Sequence, residues 1–534
     1  MAQTTAIKGS QLAFTNFKAS ETLRSLAQKP LDLTQDGALT PERINKYVQE
    51  ACGLKLLYAT DRVTDEVMEA LAELAAESNA VEKMKSMQAG KVINKIEGFP
   101  SEERSVLHTA MRDFFDHPQS ARIAKEAAEL ERAEIDKLKA FLTKISFTDL
   151  IMIGIGGSNL GPEAAYRALS YLKKEDRNVH FIANVDPDET ARVLENVDLN
   201  KALVLVVSKS GGTLETKTNY NFMARKFEQA GLNPKDHFVS ITGKGSLLDN
   251  KNKFLECFYS WDFIGGRYST SAMYGAVMLS FALGFDHFWE FLRGAHEMDR
   301  TALESDIHKN LPLKLALLGI WNHNFLGCHT LAMIPYSSAL SRFPAHIQQL
   351  EMESNGKHID RHGIRVDFET GQIIWGEPGN NAQHSFYQLI HQGTPVIPLE
   401  FISFKECQFG DDMVIDGTTN QEKLLANMFA QAIALATGKK DDNPNKQFEG
   451  NRPSRIILGE KLTPYSLGTL FSLYENCVAF QGFIWDINSF DQEGVQLGKV
   501  LAGRVIKSFE GFRSTGKETG EYPLGDAYLK QLGL

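Results

Sequence analysis

Four short, largely apolar runs separated by helical segments set the main constraint on this chain. They are Leu150-Ile-Met-Ile153, Val179–Ala183, Leu203–Val207 and Phe238–Ile241. Runs of this length without strict polar alternation read as strands covered on both faces. The stretches Pro162–Leu172, Thr190–Glu195 and Thr216–Gln229 between them have helical patterning. Such alternation implies a parallel sheet with helices on both sides, and sheets of this kind bind ligands at the carboxyl ends of their strands.

A second block repeats the arrangement, with strand candidates at Thr330–Ile334, Ile373–Gly376, Val396–Phe401 and Arg455–Leu458. Helices are expected near Thr419–Thr437 and after Thr463-Pro464, where Thr caps and Pro takes the first helical position. Residues 1–100 read as helical, opening with the Thr40-Pro41 start, and Ser120–Leu142 is a long amphipathic helix. At 534 residues the chain exceeds what one core organises. The reading is an α/β protein with two blocks and a helical arm at each end.

The formal charge is −10, with 67 acidic against 57 basic side chains. That balance argues against nucleic-acid binding but not against a local basic pocket. Five scattered cysteines, Cys52, Cys257, Cys328, Cys407 and Cys477, form no Cys-x-x-Cys pair and fit a reducing, cytoplasmic compartment without a cysteine metal site. Residues 1–30 hold no long apolar core, so no signal peptide is expected. No apolar run reaches the roughly 20 residues that span a bilayer.

Two strand-end loops stand out. Gly154-Ile-Gly-Gly157-Ser158-Asn159-Leu-Gly161 resembles a dinucleotide fingerprint but has Asn159 where the last Gly belongs, and it is no Walker loop. What is left is a Gly-rich turn at a helix start, which is either a tight turn or a seat for one phosphate group. Ser208-Lys209-Ser210-Gly-Gly-Thr213-Leu-Glu-Thr216 also opens a helix, and its hydroxyls and ammonium suit the same anion. Two such loops in one sheet point to a phosphomonoester pocket.

Further candidates lie outside these loops. Arg267, in Gly265-Gly-Arg-Tyr-Ser269, either pairs with a structural carboxylate or stabilises a developing oxyanion. An apolar stripe at Leu340, Phe343, Ile347 and Leu350 leads into Gln349–Lys357, and Pro344 either kinks that helix or starts a shorter one. Asn355-Gly356 suits the left-handed turn that ends helices. Glu351 and Glu353 fall on different faces of the last turn, where a carboxylate is either solvated or open to a cleft as a base. His384 and His391 sit seven residues apart, too far for one metal without other ligands. Lys499 follows a Gly in Asp491–Lys499.

Taken in order, Gly154–Pro162, Ser208–Thr216, Gly265–Ser269, Gln349–Lys357, Gly379–Thr394 and Asp491–Lys499 closely resemble the glucose-6-phosphate isomerase family. The resemblance implies two sugar-isomerase-type α/β/α sandwich domains with mainly parallel sheets. These would be 105–285 (smaller) and 286–505 (larger), with a helical N-terminal arm at 1–104 packing on the second domain and a C-terminal arm at 506–534. It implies glycolytic and gluconeogenic interconversion of glucose 6-phosphate and fructose 6-phosphate, with no metal or organic cofactor. Glu353 matches the base between C2 and C1, His384 and Lys499 the ring-opening groups, and Arg267 the group that steadies the enediolate. Ser158, Ser208, Lys209, Ser210 and Thr213 match the phosphate contacts, while Gly157, Gln349 and Gln492 line the sugar. It also implies a homodimer in which His384 serves the partner's site.

Departures are confined to neighbours. Ser210-Gly-Gly-Thr213 stands where many members carry more Thr and a Phe, Thr270-Ser271 follows the Arg267 turn where animal-type members have Leu-Trp, and Gln496 stands where many members have Glu. A sugar-phosphate sensor without chemistry had no need to keep Glu353, Arg267 and Lys499, and all three are present.

Overall fold

The computed structural model describes residues 14–517 and 519–533. Residues 1–13, part of the expected N-terminal arm and of the segment read as lacking a signal peptide, lie outside the described residues, as do 518 and 534. The chain divides after Ser489 into two units.

The first unit is built on two large sheets and one two-stranded pair, with strands in chain order as follows. β1 (Val48–Ala51) and β2 (Leu54–Leu57) form an antiparallel hairpin whose turn, Cys52-Gly53, has φ of 49° and 75°. β3 (Val92–Asn94) and β4 (Arg104–Ser105) pair only with each other. The stretch 1–100 is thus not wholly helical as expected. The helices Asp65–Glu77 and Ala80–Gln88 are present, but four-residue strands were too short to show a period against them.

β5 (Asp149–Ile153), β6 (Asn178–Ile182), β7 (Ala202–Val207), β8 (Phe238–Thr242) and β9 (Glu256–Tyr259) make an all-parallel sheet in the order β6-β5-β7-β8-β9. Every residue of β5 and β7 is buried, as continuous apolar runs require when helices cover both faces. β10 (Thr330–Pro335), β11 (Ile373–Trp375), β12 (Leu399–Glu406) and β13 (Ser454–Lys461) are parallel and join the hairpin in the order β1-β2-β13-β12-β10-β11. The fold is α/β with mainly parallel sheets.

Topology fixes where ligands belong. From β5 the chain moves to one side to form β6, then crosses to the other side of β5 for β7. The order reverses between β5 and β7, so their carboxyl ends flank a crevice. The same reversal occurs between β10 and β12.

Helices without a polar face fill the interior. Met273–Leu283 and Leu311–Ile320 are buried at every position. Pro464–Ile484 is buried at every position but Tyr465, and starts with a capping box between Thr463 and Ser466. At the earlier start, the Thr40 hydroxyl accepts from Arg43 N–H at 3.2 Å. His108–Arg112 is a 3₁₀ turn. Pro344 is the second residue of the Phe343–Asn355 helix, so it starts that helix and does not kink it. Gly356 follows with φ −72°, not in the left-handed region. A side chain is excluded there for another reason: a Cβ would lie 2.4 Å from the Met352 carbonyl oxygen.

In the second unit a long helix, Gln496–Thr515, packs on Pro523–Gln531. The Arg504 guanidinium lies 5.9 Å from the Tyr522 ring centre. Among the described residues no helix is long and apolar enough to cross a membrane. All five cysteines are free.

Candidate active site

The loop after β5 turns through Gly156 (φ 60°) and the short turn Gly156–Ser158 into the helix Leu160–Leu169. Gly157 lies hard against another turn, Gly266–Tyr268. A Cβ on Gly157 would stand 2.2 Å from the Gly266 carbonyl carbon and 2.6 Å from the Arg267 nitrogen. Only glycine permits this approach of two backbones, and it delivers Arg267 to the crevice beside β5.

Arg267 is buried and fixed by several bonds. Its Nε donates to Ser354 Oγ at 2.7 Å and its Nη2 to the Ser489 carbonyl at 2.8 Å. Its Nη1 is 3.6 Å from Glu353 Oε2. Gln349 Nε2 donates to that same oxygen at 2.8 Å, one helical turn earlier. A Cβ on Gly156 would come within 3.2 Å of the Gln349 amide nitrogen, so the loop after β5 also touches this group. Gly156, Gly157, Arg267, Gln349 and Glu353 are therefore one cluster, assembled from three separate stretches of sequence.

Of the two carboxylates in the helix end, Glu353 is the one that meets solvent, with its side chain 23% exposed. Glu351 is buried, accepts from Asn355 Nδ2 at 3.1 Å, and its pKa is pushed up to about 8 by burial. Lys357 Nζ closes the helix by donating to the carbonyls of Glu353 and Ser354 at 2.7 and 3.0 Å. Behind Arg267, the Tyr268 hydroxyl lies 3.0 Å from Ser354 Oγ, and burial lifts the Tyr268 pKa to about 12. His108 stacks on the Tyr268 ring at 4.6 Å. Arg112 backs this layer with bonds of 2.6 Å to Asp299 and to Glu475.

The loop after β7 flanks the other side of the switch point. Ser208 Oγ and Thr213 Oγ1 are 3.0 Å apart. Thr213 precedes the helix Leu214–Gln229, yet its hydroxyl caps none of the helix N–H groups. Its first-turn donors are thus left for an anion. Ser210 is exposed, and its Oγ accepts from Gly212 N–H at 3.2 Å. Lys209 Nζ donates to the carbonyls of Asp262 and Ile264, each at 2.9 Å, tying this loop to the segment just before Arg267. Burial lowers its pKa to about 8, with Arg104 adding to the effect and Asp262 and Glu102 opposing it.

Of the expected residues, His384 is not bonded to this cluster. His384 follows the short helix Gly379–Gln383 and is exposed, with no hydrogen bond or ion pair to Glu353 or Arg267 among the described residues. Lys499 lies exposed in the first turn of Gln496–Thr515, and Gln492 precedes the turn Glu493–Val495, both in the second unit. His391 bonds Gln431 at 2.7 Å and is a structural residue. Ser158 lies half-buried in its turn beside the cluster.

Sequence reasoning missed two groups. Ser354 Oγ accepts from Arg267 and lies 3.0 Å from the Tyr268 hydroxyl, and adjacency to Glu353 was its only trace. Thr216, three residues past the uncapped helix start, is buried with a hydroxyl that has no partner; it closed the hydroxyl-rich motif but was not singled out. Among the described residues no three His, Cys, Asp or Glu side chains gather as a metal site.

The phosphoglucose isomerase family model matches residues 57–520. The chain belongs to the phosphoglucose isomerase family. A glucose-6-phosphate isomerase of Protochlamydia amoebophila is 59% identical over 530 residues, covering 98% of each chain. One from Chlamydia pneumoniae is 52% identical over 93% of this chain and 95% of its own. The crystal structure of a glucose-6-phosphate isomerase from Chlamydia trachomatis superposes with a TM-score of 0.91 at 45% identity, covering 98% of this chain and 99% of that one. The expected family is therefore the right one, and the chain is an enzyme, an aldose–ketose isomerase.

Proposed function

We propose that this phosphoglucose isomerase interconverts glucose 6-phosphate and fructose 6-phosphate, in glycolysis and in gluconeogenesis, by ring opening and then proton transfer through a cis-enediol. The observation that carries this reading is the placement of Glu353 Oε2 against Arg267 at 3.6 Å, beside a switch-point crevice with an uncapped helix start. Phosphate bound by Ser158, Ser208, Lys209, Ser210 and Thr213 anchors the open chain, with Thr216 completing the cradle. Remote anchoring of this kind brings the reacting carbons within reach of the base.

Glu353 then takes the proton from C2 of the open-chain aldose, and negative charge grows on the C1 oxygen. Arg267, which cannot surrender its own proton, stabilises that charge. The C2 hydroxyl proton passes to the C1 oxygen, and the protonated Glu353 returns its proton to C1, which leaves the carbonyl at C2 and completes the ketose. Gln349 orients the carboxylate, and Gly157 and Gln492 shape the sugar side of the crevice. His384 and Lys499 divide ring opening between them, one protonating the ring oxygen and the other taking the anomeric hydroxyl proton. His384 is exposed and makes no bond to its own chain's Glu353, which supports a homodimer in which it serves the partner's site. We read 105–285 and 286–505 as the two sugar-isomerase domains, and the five free cysteines support a cytoplasmic enzyme.

Glu353→Gln tests the assignment. It keeps the bond to Gln349 and removes the base, so kcat should fall by about 10²–10⁴-fold with KM little changed. Near-wild-type turnover in the folded variant would exclude Glu353 as the base.

A further inference from the structure

The second sheet has its own switch point, between β10 and β12, and a cavity of about 630 Å³ opens there. That volume lies within the range of roughly 300–1,000 Å³ for small-molecule sites. No residue of the candidate active site lines it.

Its walls have the composition of a ligand site. The segment after β10 contributes Ser337, Ser338 and Ser341, as the segment after β7 contributes Ser208 and Ser210. The Ser337 hydroxyl caps none of the N–H groups of the short turn it precedes. Arg167 reaches the same cavity from the Leu160–Leu169 helix. Its Nε donates to Glu163 Oε1 at 2.8 Å, and Arg342 Nη2 lies 3.2 Å from the other Glu163 oxygen. Two guanidinium groups thus share one carboxylate. Glu406 also lines the cavity, and it and Arg167 are both exposed, so solvent screens the two charges alike. Tyr166 and Phe409 supply aromatic surface, and Phe409 is 80% exposed. A large aromatic ring left bare at a cavity mouth is a place for a ligand to pack.

We propose that this cavity is a second binding site, for a small phosphorylated sugar or polyol. The phosphate lies on the serine segment and Arg167, and the carbon skeleton lies against Phe409 and Tyr166. The site is separate from the candidate active site and works on the sheet that does not supply the phosphate loop.

Equilibrium dialysis of the full chain with radiolabelled glucitol 6-phosphate, which cannot isomerise, counts the sites directly. The wild type should bind two equivalents per chain at saturation, and inorganic phosphate should displace both. Ser338→Asp, at an exposed position, should bind one equivalent and keep isomerase turnover. Arg167→Gln should likewise bind one. Ser210→Asp should lose the other equivalent, so failure of the active-site reading shows in that variant alone. Saturation of the wild type at one equivalent, or two equivalents retained by both Ser338→Asp and Arg167→Gln, would overturn the second site.

Discussion

Replacing Gly157 by alanine tests whether two backbone turns in contact are what hold Arg267 in place. The added methyl would lie 2.2 Å from the Gly266 carbonyl carbon, 2.4 Å from its oxygen and 2.6 Å from the Arg267 nitrogen. Ordinary contact begins at 3.4 Å, so one turn must retreat by roughly 1.2 Å (3.4 − 2.2), because close-packed backbone has nowhere to rotate. Arg267 Nε is 2.7 Å from Ser354 Oγ, and a retreat of that size breaks the bond. Overpacking of this kind costs about 1–3 kcal/mol in stability. Misplacing a positioned group by about 1 Å costs on the order of 10²-fold in rate. The coupled assay with fructose 6-phosphate as substrate should therefore show kcat/KM reduced about 100-fold, mostly through kcat. Gly503→Ala is the control, since it lies in the Gln496–Thr515 helix with nothing within 4 Å of a new Cβ. It should leave activity unchanged and stabilise the helix by up to about 1 kcal/mol. Gly157→Ala activity within about threefold of wild type would refute the argument that this close approach positions Arg267.

Three other outcomes follow from the same geometry. Mixing Glu353→Gln and His384→Ala chains and letting subunits re-pair should restore about a quarter of wild-type activity, because half the dimers are hybrids with one intact site of two; a mixture no better than its parents excludes a shared site. Ser354→Ala removes the acceptor of Arg267 Nε and should lower kcat about tenfold, since an unsatisfied buried donor costs about 1–3 kcal/mol; unchanged kcat would mean Ser354 does not position Arg267. The Glu351 pKa is raised by burial from 4.5 to about 8, so its contribution is fully present below pH 4.5 and is lost as pH rises toward 8. Glu351→Gln, neutral throughout, should flatten that part of the profile of urea midpoint against pH and be the more stable form above pH 8; an unaltered profile would place the titration elsewhere.

Much of the fold was legible because its signals are local. β5 and β7 are buried on both faces, so their apolar runs showed without knowledge of neighbours. Thr40-Pro41 and Thr463-Pro464 marked helix starts because capping depends on adjacent residues. The β1–β2 hairpin was missed because its strands have four residues each and its left-handed turn uses Cys52 where Asn or Asp is usual. Gly356 looked like a left-handed cap, but its requirement comes from the Met352 carbonyl. The site was legible as residue types and much less as geometry. Periodicity separated Glu351 from Glu353 but did not say which faced inward, and only the family resemblance chose Glu353. Gly157 pressing on Gly266, Lys209 bonding the segment before Arg267, and Ser354 receiving Arg267 are all tertiary facts with no sequence signature.

The central claim is that Glu353 carries a proton between C2 and C1, and isotope tracing tests it most directly. [2-²H]Glucose 6-phosphate should give fructose 6-phosphate with deuterium partly at C1 and partly replaced from water, since a carboxylic acid facing solvent exchanges before it returns the proton. Glu353→Gln should slow both the transfer and the wash-out together. Complete transfer to C1 with no exchange, or wash-out at the wild-type rate in Glu353→Gln, would contradict the account.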